Sequence, residues 1–123
     1  MYADKVRKGW ELALNLRDEG DLNNSASRMY YAVFLAALWY AVAKRSFDPL
    51  RKTNRDVVHA RMKAYVEEHF KERTEYVRCY GQLRRLRNKA DYEPVDVSPS
   101  ELDLEFINKI QCIKDFFLRE VNR

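Results

Sequence analysis

The residues of this chain best suited to chemistry stand close together, in the run Arg84-Arg85-Leu86-Arg87-Asn88-Lys89-Ala90-Asp91-Tyr92. Arg87 carries a planar guanidinium whose fork of donors matches two phosphate oxygens at once. With Asn88, Asp91 and Tyr92 it makes a compact polar cluster at a helix end. Such a cluster suits binding of a phosphate. It also suits chemistry in which the arginine stabilises charge developing on phosphorus-bound oxygens while a neighbour moves the proton. The alternative is structural: Arg87 and Asp91 lie one helical turn apart and pair to pin the helix terminus.

The charge pattern points the same way. Formal net charge is +4, yet the segment from Lys71 to Lys89 holds seven basic residues against two acidic ones, and the rest of the chain is slightly acidic. A local excess of this kind attracts phosphate, or it is a solvated helix face. Arg28 shares a helical stripe with Ala32, Leu35 and Trp39, which predicts an inward position. A buried charge needs a partner; Asp91 is the candidate, joining the two regions into one site. The alternative is that Arg28 reaches solvent along its stem.

The two histidines, His59 and His69, are ten residues apart and fall nearly on opposite sides of one helix, so they do not share a metal. His59 is a candidate acid or base for the Arg87 cluster, or simply a histidine at the edge of the core. Tyr30, Tyr31, Phe34, Trp39 and Tyr40 enrich one helix in rings, for core packing, a dimer interface or base stacking. The sequence contains no glycine-rich phosphate loop, nucleophile elbow, zinc-knuckle spacing or Glu-x-x-His pair, so no cofactor or metal is expected.

The elements that must position these groups are helices. Only three Gly and three Pro punctuate 123 residues, so long helices are favoured over many strands. Residues 1–123 are expected to form one all-α domain, an antiparallel four- to five-helix up-and-down bundle. The first helix spans about Asp4 to Glu19, with Val6, Trp10, Ala13 and Leu14 inward and Gly20 as its stop. The second starts among Asp21, Asn23, Asn24 and Ser25 and runs to about Lys44. It is apolar nearly all round, as a central helix is.

Phe47-Asp48-Pro49 breaks the chain, and a third helix from about Asn54 to Phe70 buries Val58, Met62, Tyr65 and Val66. The fourth covers about Thr74 to Ala90 and puts Cys79, Leu83, Leu86 and Ala90 in the core, with Arg84, Arg87 and Asp91 on the flank. Ser98-Pro99-Ser100-Glu101 reads as a capping box that opens the fifth helix. Leu102, Phe106, Ile110, Ile113, Phe117 and Val121 make its stripe.

The 15 uncharged residues from Met29 to Ala43 are too few to span a bilayer, which takes about 20. Cys79 and Cys112 lie apart, outside any Cys-x-x-Cys pair, and are expected as half-buried thiols in a reducing compartment. The N-terminus goes straight into a charged helix with no secretory signal, so the expectation is a soluble, cytoplasmic protein without a membrane partner.

Two stretches carry a family resemblance. Ser25-Ala26-Ser27-Arg28-Met29-Tyr30-Tyr31-Ala32-Val33-Phe34 resembles the second-helix signature of the HEPN family (higher eukaryotes and prokaryotes nucleotide-binding). Leu86-Arg87-Asn88-Lys89-Ala90-Asp91-Tyr92 resembles the late-helix motif of a subgroup ending in Ala-Asp-Tyr. The resemblance implies a helical bundle, commonly a homodimer, in a toxin–antitoxin or defence module, with RNA, a nucleotide or a minimal nucleotidyltransferase as partner. The candidates for binding RNA or a nucleotide are Arg28, Arg84, Arg87 and Asn88, of which the resemblance carries over Arg87. It also implies a metal-independent endoribonuclease as the alternative, built across the dimer from an Arg, a spacer of four to six residues and a His.

Here Arg87 fills the first place, and Tyr92 stands where the His would be, leaving Arg87, Asp91 and Tyr92 as the catalytic candidates. A phenol with a pKa of about 10 is a poorer proton shuttle at neutral pH than an imidazole near 6.5. Binding is therefore expected before cleavage.

Overall fold

The computed structural model describes residues 2–44 and 55–122, and these form an all-α helical bundle. In chain order the helices are α1 (Tyr2–Asp18), α2 (Leu22–Ala43), α3 (Arg55–His69), α4 (Thr74–Tyr92) and α5 (Leu104–Glu120), with a 3₁₀ turn at Pro99–Leu102. The break expected at Phe47-Asp48-Pro49 and the helix start expected near Asn54 lie outside the described residues.

Gly20 stops α1 in the way its type demands. It adopts φ +85°, a left-handed backbone that other residues take only with strain. Its N–H reaches the Arg17 carbonyl and the Asp21 N–H reaches that of Leu16. Two orphan carbonyls of the last turn are thereby satisfied. Asp21 then caps α2 through its carboxylate, which accepts from the Asn24 amide at 3.3 Å. This tight turn folds α1 back antiparallel on α2, where the buried Ser25 hydroxyl donates to the Ala13 carbonyl at 2.6 Å.

α2 is the hub that every other helix touches. Its stripe of Ala26, Met29, Tyr30, Val33, Ala36, Ala37 and Ala41 is buried. α4 runs antiparallel to it: Ser27 meets Asp91 near one end, and Tyr30 meets Tyr80 further along. α3 runs parallel to α2, with His59 against Phe34 and His69 against Tyr40. α5 is antiparallel to α4, tied by Lys109–Glu75 at 2.7 Å and, through the 3₁₀ turn, by Lys89–Glu101 at 2.9 Å. Among the described residues no helix is long and apolar enough to cross a membrane.

The expected stripes hold at their centres and loosen at their edges. Cys79, Leu83 and Leu86 are buried while Ala90 is half-buried; Met62 and Val66 are buried while Val58 and Tyr65 are half-buried. Leu102, Ile110, Ile113 and Phe117 are buried with Phe106 and Val121 half-buried, and Ile107 joins the core beside them. Truncating a central residue such as Leu83 to alanine removes about 2–5 kcal/mol. The thiols differ from expectation: Cys79 is buried and Cys112 exposed.

The start of the last helix is also revised. The capping box forms at Ser98 and Glu101, but what it caps is the 3₁₀ turn. Glu101 is held there by the Ser98 amide and by Lys89. Asp103 then starts α5 afresh, accepting from the Phe106 amide at 2.8 Å.

Candidate functional site

α4 continues two residues beyond the expected Ala90, and that extension assembles the site. Residues 87, 88, 91 and 92 become neighbours on one helical surface, since positions three to five apart lie within a turn or so of each other. The antiparallel approach of α2 adds Ser27, Tyr30 and Tyr31 to the same place.

Arg87 is the centre. It is only 8% exposed, further inside than a flank position implies. Its Nη2 donates to the Tyr31 hydroxyl at 2.8 Å and the Tyr92 hydroxyl at 3.3 Å, and its Nη1 donates to Asn88 Oδ1 at 3.2 Å. Its Nε lies 3.1 Å from Asp91 Oδ2, as an ion pair, and that carboxylate also accepts from the Ser27 hydroxyl at 3.3 Å. The guanidinium carbon sits 5.1–5.7 Å from the ring centres of Tyr92, Tyr31 and Tyr30, within range of cation–π attraction. Burial alone disfavours its charge, but the Tyr31 hydroxyl, Tyr92 and Asp91 outweigh that and hold its pKa above the ordinary arginine value.

A second polar chain lies behind this one. The buried Tyr30 hydroxyl and His59 Nδ1 are 2.7 Å apart. The His59 ring packs on Phe34 at 4.3 Å and edge-on to Tyr31 at 5.9 Å. Burial pushes the Tyr30 hydroxyl up. It pushes the fully buried Tyr80 hydroxyl, beside Tyr30, well above the usual phenol range. Tyr30 and Tyr31 thus connect His59 to Arg87, although His59 itself is buried.

Arg28 follows the second of its two readings, the one that takes it to solvent. It is exposed, and Asp91 is engaged by Arg87 and Ser27 in its place. The reason is register: the core stripe of α2 runs through Met29 and Tyr30, which rotates Arg28 outward beside Tyr31. Arg84 is half-buried one turn before Arg87, close enough to Tyr30 and Tyr80 to act on both electrostatically. Neither Arg28 nor Arg84 has an ion pair among the described residues.

The structure therefore brings together Arg87, Asn88, Asp91 and Tyr92 as the sequence indicated. It adds Tyr31, whose ring suits core packing, a dimer interface or base stacking on sequence alone, and Ser27, which stands in the same HEPN-like stretch. The signal available for them was their position in the same run as Arg28. Among the described residues no group of His, Cys, Asp and Glu is placed to hold a metal ion. No family model, curated protein or solved structure matches this chain.

Proposed function

We propose that this is a HEPN-like protein whose α2/α4 face binds the phosphate backbone of RNA. One observation carries the proposal: two arginines without ion pairs among the described residues, Arg28 and Arg84, accompany a third that is buried and ion-paired. Arg87 donates to Tyr31, Tyr92 and Asn88 and is ion-paired with Asp91, so it organises the surface. Arg28 and Arg84 keep theirs for a ligand. The exposed Tyr92 ring, at 70%, offers a face for an unpaired base beside them.

The likeness of the two motifs to HEPN sequences supports a cytoplasmic role in a toxin–antitoxin or defence module, with a second copy and a minimal nucleotidyltransferase as partners. The endoribonuclease alternative has less support. The position after Arg87 that would carry an imidazole holds Tyr92, and His59 is committed to Tyr30.

The test is retention of single-stranded RNA over a salt series, in EDTA. Each phosphate contact contributes a slope of about −0.7 in log K against log salt. The Arg28→Gln/Arg84→Gln double variant is expected to flatten that slope by about 1.4 and to stay folded. An unchanged slope would sink the proposal. Cleavage of the RNA that disappears in Arg87→Ala would transfer support to the endoribonuclease.

A further inference from the structure

A second side of α4, the one facing α5, is used by nothing in the Arg87 site. The two helices run antiparallel there, and a groove with a cavity of about 330 Å³ opens between them. Arg78, Cys79, Gln82 and Arg85 form its α4 wall. Steps of three and four residues keep that one side of the helix toward the groove. Asp103, Glu105, Phe106 and Lys109 form the α5 wall.

The charges of the two walls are unequally committed. On α5, Lys109 pairs with Glu75 of α4 at 2.7 Å and with Glu105 at 3.2 Å. Those carboxylates raise its pKa, and Lys109 lowers that of Glu75. Asp103 caps its own helix by accepting from the Phe106 amide. On α4, Arg78 and Arg85 are exposed, and neither makes an ion pair among the described residues. Arg78 acts on Glu75 through space without pairing with it, and Arg85 donates to the neutral Gln82.

The groove therefore keeps two uncommitted guanidiniums, seven residues apart on α4, which is about 10.5 Å along the axis. Its floor between them is apolar. Cys79 is 5% exposed, and burial pushes its thiol pKa up, so the sulfur stays neutral. Phe106, half-buried, lines the other wall.

An occupant must bring one anion to each guanidinium, place an apolar group between them and keep negative charge off Asp103 and Glu105. RNA fails the last condition, because its phosphates repeat at every nucleotide and some would meet the α5 carboxylates. A single small anion fails the first. An α-helix meets all three: its residues i and i+7 share one face about 10.5 Å apart, with i+3 and i+4 between them.

We infer that the α4/α5 groove is the docking site for an amphipathic helix of a partner protein, with acidic residues seven apart and an aliphatic residue midway. The carboxylates meet Arg78 and Arg85, the aliphatic side chain seats over Cys79 and Phe106, and a neutral or basic edge faces Asp103 and Glu105. Apolar anchors at helical spacing in a groove are a general mode of peptide recognition, and the paired charges fix the register. α1 of a second copy does not supply this helix. Asp4, Glu11 and Asp18 have the spacing, but Arg7 and Lys8 stand between the first two, and Leu14, packed on the core, between the others. None of the groove residues belongs to the Arg87 cluster, so the groove is separate from the RNA face.

The experiment is fluorescence anisotropy of the intact protein with a labelled, stapled helical peptide of alanine and glutamine, carrying two glutamates seven residues apart and a leucine midway. Saturable binding in the micromolar range is expected. The Arg78→Glu/Arg85→Glu variant sets like charges against each other and should weaken binding at least about tenfold. A probe with lysines in place of the glutamates should bind that variant better than it binds the wild type. Arg28→Gln/Arg84→Gln, on the other side of α4, should leave the glutamate probe unaffected.

Arg78 and Arg85 are exposed and outside every ion pair among the described residues, so their variant keeps the fold, and circular dichroism verifies it. Absence of saturable binding at millimolar protein would overturn the assignment. So would equal affinity for a probe whose glutamates are replaced by glutamine. Displacement of the glutamate probe by single-stranded RNA in the Arg28→Gln/Arg84→Gln variant would overturn it too, since the α5 wall would then admit a polyanion.

Discussion

The two ends of this bundle use aromatic rings in opposite ways. Around Arg87 the rings are tyrosines, and two of their hydroxyls accept from a cation that has been drawn inside. Around His69 most rings are phenylalanines, the central polar group is desolvated towards neutrality, and the cations stand outside over ring faces. The difference teaches where each end can spend its charge. An internal cation surrounded by acceptors stabilises its own neighbourhood and has little left for a ligand. An external one over an aromatic rim contributes little to stability and remains available.

The largest effect that would break this comparison is loss of the internal cation. Arg87→Met keeps much of the stem but leaves Asp91, Tyr31 and Asn88 without their shared donor. Removing one partner from a buried ion pair costs about 3–5 kcal/mol. Asp91 retains access to water, with its side chain 31% exposed, so about 2 kcal/mol is the expected loss. Urea unfolding measures it. His69→Ala at the other end should cost under about 0.5 kcal/mol, as surface substitutions do. Equal losses at the two ends would dissolve the distinction.

These two regions were unequally legible in the sequence. The polar cluster of α4 could be read because helical spacing alone groups Arg87, Asn88, Asp91 and Tyr92. Its partners on α2 could not. Whether Arg28 or Tyr31 turns toward α4 depends on a rotation of about one residue, and an almost wholly apolar helix gives periodicity little to fix that rotation. The mean apolar pattern set the core of α5 correctly, yet the stepwise start at Ser98 and Asp103 follows from the tie between Glu101 and Lys89, a tertiary contact. The aromatic end was illegible for a similar reason. Its rings come from α2, α3, α4 and α5, and His69 shares no local motif with Phe116. The parallel course of α3 beside α2 is what brings His69 to Tyr40.

The hydroxyls around Arg87 offer a finer comparison within one end. Tyr31 accepts from Nη2 at 2.8 Å and is 37% exposed, while Tyr92 accepts at 3.3 Å and is 70% exposed. Hydrogen bonds to charged groups contribute about 1.5–3 kcal/mol, least where water can replace the partner. Tyr31→Phe should therefore cost about 1–1.5 kcal/mol, and Tyr92→Phe about 0.5 kcal/mol or less. Thermal unfolding of the two variants side by side decides the order. If Tyr92→Phe proved the more damaging, the internal cation would be held chiefly from α4, and the contribution of α2 to the site would be secondary.

The smallest effect concerns the neutral imidazole, and it is read in pH. Surrounding rings lower the His69 pKa in the folded protein below its ordinary value of about 6.5. Between the folded and unfolded values the unfolded chain binds more protons, so stability rises with pH there. The contribution is complete above about pH 6.5 and is lost as pH falls through the folded value. The gap in unfolding midpoint between wild type and His69→Gln should be constant from pH 8 to 7, and the wild type should fall relative to the variant as pH drops toward 5.5. Taking the difference cancels groups common to both proteins, including Glu75, whose carboxyl Lys109 holds below the usual range. A difference curve that slopes the other way would mean that folding raises the His69 pKa. The imidazole would then belong with the cations at that end, and the contrast with Arg87 would be one of exposure alone.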